Sequence, residues 1–319
     1  MNSRILCGAV LLAIPAIPLF GQSGQIAGPA IGFVFDGSVH ALRPILGIPG
    51  AATLGDPLDA GFALSSATVA PRQDSAIVTA ADGSLHLLRL ASGAAEVLCG
   101  ACPSTAEDAV FSPSGTAVAL YSAGRVQIVT GLPDAPAAGA AFEVGSMPRL
   151  GHRAPMAPPM ALSDDGAWLL ASSSVAVNLF GSNGGPRQLL AAGPDAPVAF
   201  APGSHDAAVA AAGGTAVTLF HDVAGASTEQ PLTAPDGVRH INALAFSADG
   251  SRLYVSSGAE QSVTAIDIAS GTSTAAVCDC ALSVLVPMGN VLRLNGLGNG
   301  PLWLLDSAAA RVVFVPPAQ

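Results

Sequence analysis

Phe246-Ser247-Ala248-Asp249-Gly250, then Leu253-Tyr254-Val255-Ser256, then Ser262-Val263-Thr264-Ala265-Ile266-Asp267 and Gly271-Thr272 is the stretch that decides the fold. An apolar run ends in a Ser/Asp/Gly turn. Two further runs of four to six residues follow, each bounded by turn residues. Runs of that length, rich in β-branched and aromatic residues and punctuated by Gly, Asp and Ser, read as short antiparallel strands.

The pattern recurs along the chain. Segments like Ser262–Ile266 start at residues 38, 84, 125, 174, 215, 262 and 301, an average step of about 44 residues. They include Ser38-Val39-His40-Ala41-Leu42, Ser84-Leu85-His86-Leu87-Leu88 and Pro301-Leu302-Trp303-Leu304-Leu305. The apolar run with its turn recurs in the same phase at Phe111-Ser112-Pro113-Ser114-Gly115 and Leu162-Ser163-Asp164-Asp165-Gly166. Looser versions are Val69-Ala70-Pro71, Phe200-Ala201-Pro202-Gly203 and Val286-Pro287-Met288-Gly289. A unit of this size holds three or four strands and no sustained helical period, which is one blade of a β-propeller. The fold expected is all-β, a propeller of seven blades of four-stranded antiparallel sheets. Six blades plus a partial repeat, or eight, stay open, because little precedes Ile31-Gly32-Phe33-Val34-Phe35 to serve as an innermost strand. The C-terminal strand Arg311–Val315 is expected to close the ring against the N-terminal repeat.

Composition agrees. Of 319 residues, 50% are hydrophobic but only 5% aromatic and 11% charged, and Gly (36) and Pro (25) are abundant. That excludes long bundles and coiled coils, which need charged outer faces, and it argues against disorder. All 12 basic residues are Arg, and the net charge is −10. No basic cluster is present to replace counterions on phosphates, so neither nucleic acid nor an anionic membrane is an expected partner.

Residues 1–22 read as a secretory signal peptide. Arg4 precedes an apolar stretch from Ile5 to Phe20, and Gly21-Gln22 begins a polar segment. The remaining 23–319 form a single propeller domain with no membrane insertion after cleavage. A retained N-terminal anchor is the competing reading. The expected location is periplasmic or extracellular.

Within the repeat, Leu253-Tyr254-Val255-Ser256 followed by Val263-Thr264-Ala265-Ile266-Asp267 and Gly271-Thr272 resembles a YVTN-type propeller repeat, with Ser256 where that family usually carries Asn. The Phe-Ser-x-x-Gly turns resemble those of WD-repeat-like propellers, although their Trp-Asp and Gly-His pairs are missing. One blade carries the resemblance well and the others loosely. It implies the propeller fold and, by analogy, a binding role.

Four cysteines follow the leader, in the pairs Cys99/Cys102 and Cys278/Cys280. Each pair lies just before the first strand of a blade. An even count in an exported chain suggests disulfides. Two local bridges are the leading reading, and such small rings contribute little through chain entropy. A redox-active Cys-x-x-Cys and a four-thiolate zinc site compete with it. The first lacks its usual strand-helix context. The second would have to join opposite sides of the ring.

Asp164-Asp165-Gly166 and Asp249-Gly250 lack the alternating spacing of a calcium loop and read as turn chemistry. His40 and His86 are assigned the same position in equivalent strands, hence a structural role. His205-Asp206 and His221-Asp222 are neighbours in sequence, and neighbours on a strand face opposite ways. The segment Gly131–Pro159 reads as the longest irregular insertion, and its Arg149, His152 and Arg153 form a candidate binding loop. Gly296-Leu297-Gly298-Asn299-Gly300 reads as a hairpin turn, and Trp303 as packing between blades.

No nucleophile elbow, metal-ligand spacing or cofactor motif is found, so no cofactor is expected. The favoured function is a non-catalytic module, a monomer binding a protein or peptide with its channel-mouth loops. The alternative is a lactonase- or hydrolase-like propeller enzyme, which needs acidic or His residues converging on the channel. A carbohydrate-binding propeller would need aromatic platforms in each blade, and two Trp and two Tyr are too few.

Overall fold

The computed structural model describes residues 29–146, 157–181, 184–193, 195–211, 214, 216–233, 238 and 240–317. Seven antiparallel sheets follow one another along the chain, and six of them are four-stranded. They are the blades of a seven-bladed propeller: blade 1 spans 30–54, blade 2 64–97, blade 3 108–143, blade 4 160–191, blade 5 198–233, blade 6 241–277 and blade 7 286–315. The leader expected over 1–22 lies outside the described residues. No helix among the described residues is long and apolar enough to cross a membrane.

The first strand of each blade is the innermost. Neighbouring blades approach each other there, Met160–Leu162 beside Val198–Phe200 and Val198–Phe200 beside Ile241–Phe246. Each blade alone would leave both faces of its sheet bare. The ring removes them in pairs. Seven clusters of buried apolar side chains are found among the described residues, and each joins two consecutive blades. Val34, Ile45 and Ala52 of blade 1 meet Met288, Leu302, Leu304 and Val315 of blade 7, so the ring is closed.

The C-terminal strand does close the ring against the N-terminal repeat, through side chains and not through a shared sheet. Among the described residues Arg311–Val315 pairs only with Leu302–Asp306 of its own blade. It touches the blade 1 strand Ala51–Leu54 without a hydrogen-bonded ladder. Side-chain packing holds this seam.

Blade 1 departs from expectation. It does have an innermost strand, Ala30–Asp36; among the described residues it lacks an outer fourth strand. The segment Ser38–Leu42 covers a turn and the start of the second strand, Ala41–Ile48, whereas Ser84–Leu88 leads into a third strand, Leu85–Arg89. His40 and His86 are therefore not equivalent. His40 sits in the turn with φ 54°, its Nδ1 3.1 Å from the Leu64 carbonyl oxygen. An alternating apolar pattern marks a half-buried strand without saying which strand of a blade it is.

The presumed insertion 131–159 is partly regular too. Ala137–Glu143 is the outermost strand of blade 3 and pairs with Arg125–Thr130. Its sequence AAGAAFE lacks β-branched residues, and most of it is exposed. An outer edge strand needs one partner and little burial, so its sequence signal is weak.

Thr264, on the third strand of blade 6, is buried, and its hydroxyl has no hydrogen-bond partner among the described residues. A buried hydroxyl without a partner is a standing cost. Thr264→Val should raise stability by about 1 kcal/mol in urea unfolding. A loss of stability would mean that the hydroxyl is satisfied.

Candidate functional site

The recurring turn fixes one mouth of the channel. In three blades a Ser follows the innermost strand, and its hydroxyl accepts from the backbone N–H five residues on: Ser112 from Ala117 at 3.2 Å, Ser163 from Trp168 at 3.0 Å and Ser247 from Arg252 at 3.0 Å. The turn closes on a left-handed residue, Gly115 at φ 73°, Gly166 at 67° and Gly250 at 71°. Side chains other than Gly rarely tolerate that geometry, which accounts for the Gly in the motif. Asp249 Oδ1 accepts from the Ser247 hydroxyl and from Ser251. These bonds hold its pKa down to about 2.

Asp164 does more than form its own turn. Its Oδ1 accepts from Ser114 N of blade 3 at 2.6 Å, and its Oδ2 accepts from Gly203 N of blade 5 at 2.7 Å. The Thr116 hydroxyl donates to the Asp164 carbonyl at 3.0 Å. One carboxylate thus ties three consecutive blades at the rim. Next to it, Asp165 binds the Ser163 hydroxyl and Ala167 N, and its Oδ2 lies 2.8 Å from His205 Nε2. Burial would raise the Asp165 pKa, but these partners, Ser163 foremost, hold it below the ordinary value.

Inside this rim lies a cavity of about 540 Å³. The innermost strands of blades 3 to 7 and the blade 2 turn enclose it. Phe111, Leu162, Phe200 and Phe246 supply apolar wall, and Pro71, Pro113, Pro202 and Pro287 stand along the rim. Arg72 and Asp164 are its charged lining residues, and Arg72 pairs with Asp74 at 2.7 Å. The size is that of a small-ligand or side-chain pocket.

The histidines pair differently from their sequence neighbours. His205 meets Asp165, and His221 Nδ1 lies 3.0 Å from Asp206 Oδ2. Phe220 is opposite Ala207 in the ladder, which brings His221 to Asp206. The other ring nitrogen of His221 lies 2.9 Å from Gln230 Oε1. A ring between two acceptors is best satisfied with both nitrogens protonated, and Gln230 foremost, with Asp206, raises the His221 pKa above 6.5. A raised histidine pKa gives stability that is complete below the unfolded value and lost as pH rises through the folded one. The stability gap between the protein and His221→Asn should therefore be larger at pH 6 than at pH 8.5. A gap independent of pH would contradict this charge assignment.

Ser84, His86 and Asp82 also come together, in an order unsuited to a catalytic triad. The Ser84 hydroxyl donates to Asp82 at 2.6 Å and lies 2.9 Å from His86 Nε2. The carboxylate therefore holds the hydroxyl, whereas a triad needs it to orient the imidazole. At the far end of the blade 3 innermost strand, crowding by neighbouring protein pushes the Asp108 carboxyl up, although the residue remains exposed to solvent. Among the described residues no group of three or more His, Cys, Asp or Glu could hold a metal ion.

Each cysteine pair is joined locally, Cys99 to Cys102 and Cys278 to Cys280. The bridges lie in the connections from blade 2 to 3 and from blade 6 to 7, so the four sulfurs do not meet. Cys278 and Cys280 are buried against Tyr254, Leu285 and Leu294 between blades 6 and 7. Arg149, His152 and Arg153 lie outside the described residues. Trp303 packs against Phe314, with ring centroids 5.7 Å apart.

No family model and no curated protein sequence matches the chain. Solved structures do match in shape. A functionally unknown protein from Desulfotomaculum acetoxidans DSM 771 is 13% identical, with a TM-score of 0.57 over 90% of this chain and 100% of that one. A chain of a mitotic checkpoint complex is 13% identical, with a TM-score of 0.53 over 100% of both. Dihydro-heme d1 dehydrogenase NirN, in complex with DHE, is 18% identical, with a TM-score of 0.50 over 77% of this chain and 54% of that one. At such identities the likeness carries the fold alone, and the fold is a seven-bladed β-propeller.

Proposed function

We propose that the protein is an exported, monomeric, non-catalytic module that binds a protein or peptide at the turn-bearing mouth of its channel. The observation that carries this reading is the mouth cavity itself. It is apolar, preformed and rimmed by prolines from four blades, and its one carboxylate is committed to two backbone N–H groups. A rigid apolar socket loses little entropy when it takes up an apolar or aromatic side chain. The two local disulfides and the leader-like N-terminus support export into an oxidising compartment. Blade 6 is the blade whose strands follow the YVTN-type pattern, Leu253–Ser256 in the second strand and Val263–Asp267 in the third.

A second reading is a propeller hydrolase or lactonase, and Asp108, an exposed carboxyl with a raised pKa at the start of the blade 3 innermost strand, is the residue that tests it. The test is capture with light cross-linking from the source cell's envelope fraction. Cross-links to a reproducible partner that map to the turns around Arg72, Ser114 and Ala248 are expected. Cross-links confined to the outer strands would overturn the proposal. Turnover of a lactone or ester panel that is lost in Asp108→Asn would replace it with the enzyme.

A further inference from the structure

We propose a second, separate site between blades 7, 1 and 2 that takes a small carboxylate with an apolar body, its anionic end on Arg293. A cavity of about 380 Å³ opens there, walled by Phe33, Phe35, Val69, Met288 and Leu297. Arg293 ends the second strand of blade 7, opposite Val286, and lines this cavity.

The case rests on how its charge is left. Arg43 pairs with Asp36 at 2.7 Å, Arg89 with Glu96 at 2.9 Å and Arg125 with Glu143 at 3.0 Å. Arg293 makes no ion pair among the described residues, although it is part-buried where the paired Arg125 is exposed. Its Nη1 donates to the Asn295 carbonyl at 2.9 Å, which anchors one edge of the guanidinium. Burial alone acts on it, pulling its pKa down, with no carboxylate to oppose that.

A half-buried cation without a counter-charge is costly, and a guanidinium presents a fork suited to a carboxylate. The other polar wall residues, Thr68 and Gln73, are uncharged, and Gln73 is already used. Gln73 accepts from Phe33 N at 2.8 Å and donates to the Ala70 carbonyl at 3.0 Å. Charge selection therefore falls to Arg293, and the aromatic and aliphatic walls select an apolar body over a hydrated anion.

The experiment is calorimetric titration of the mature protein with 3-phenylpropionate, phenethylamine and inorganic phosphate. The site predicts saturable binding of 3-phenylpropionate, with neither comparison compound matching it. Arg293→Met keeps the side-chain length without the charge. It should weaken binding at least tenfold, while its urea midpoint stays the same or rises. Should that variant fail to fold, Leu297→Trp fills the cavity from the glycine-rich 296–300 turn and should weaken binding equally. Ala248→Arg, on the channel rim, should leave it unchanged, which separates this site from the channel. No saturable binding, equal binding by Arg293→Met, or equal binding of phosphate or phenethylamine would overturn the proposal.

Discussion

Leu304→Ala should cost about 2–5 kcal/mol, the range for a large-to-small change in a packed core. Leu304 is fully buried and reaches across the seam to blade 1. Among the described residues no strand of one blade completes the sheet of the other, so side-chain packing is what mainly keeps the ring shut. The effect should therefore be local as well as large. Amides of blade 1, residues 30–54, should lose hydrogen-exchange protection before those of blade 4. Leu179→Ala, equally buried between blades 4 and 5, is the control. It should cost a similar amount without singling out blade 1. Equal protection loss around the ring in both variants would show that something other than this packing closes it.

Asp164→Ala should cost about 2 kcal/mol. A hydrogen bond to a charged group is worth about 1.5–3 kcal/mol, and partial solvent access at the rim returns part of the two lost here. Ser114 N and Gly203 N would lose their acceptor. Asp164→Asn keeps one acceptor oxygen and should cost about half as much. Urea unfolding of the two variants measures both. If alanine and asparagine cost the same, the carboxylate does not bridge three blades. The same variants should loosen the mouth cavity, because the turns of blades 3 and 5 are positioned through this residue.

The sequence shows the blades clearly where two landmarks coincide. Phe111, Leu162 and Phe246 each end an innermost strand and lead into the Ser-anchored turn, and that turn needs its Gly at a positive φ. Blade 1 has no such turn, so its alternating pattern alone does not set its phase, and Ser38–Leu42 falls one strand earlier in its blade than Ser84–Leu88. The outermost strands were faint for another reason. Ala94–Val97, Ala137–Glu143 and Ser273–Val277 are largely exposed and bury too little to impose a pattern.

The site was less legible than the fold. Asp164 reads locally as a turn residue, and its partners are backbone groups 50 and 39 residues away. The His221–Asp206 pair depends on ladder register, which adjacency in sequence does not reveal. Arg293 looks like any surface-strand arginine until blade 1 is folded against blade 7. Charge composition gives an expectation about partners, because a chain without lysine and with a net charge of −10 has little basic surface to offer.

The channel mouth as the binding face is the central claim, and panning a displayed random-peptide library on residues 23–319 tests it most directly. Ala248 is exposed on the rim, so Ala248→Arg changes the mouth without touching the core. Val277, 76% exposed on an outermost strand, gives the control Val277→Arg. Enriched peptides that share an apolar or aromatic residue, bind the protein and Val277→Arg alike, and fall at least tenfold on Ala248→Arg are the predicted result. Peptides that bind all three proteins equally, or no enrichment at all, would contradict the account.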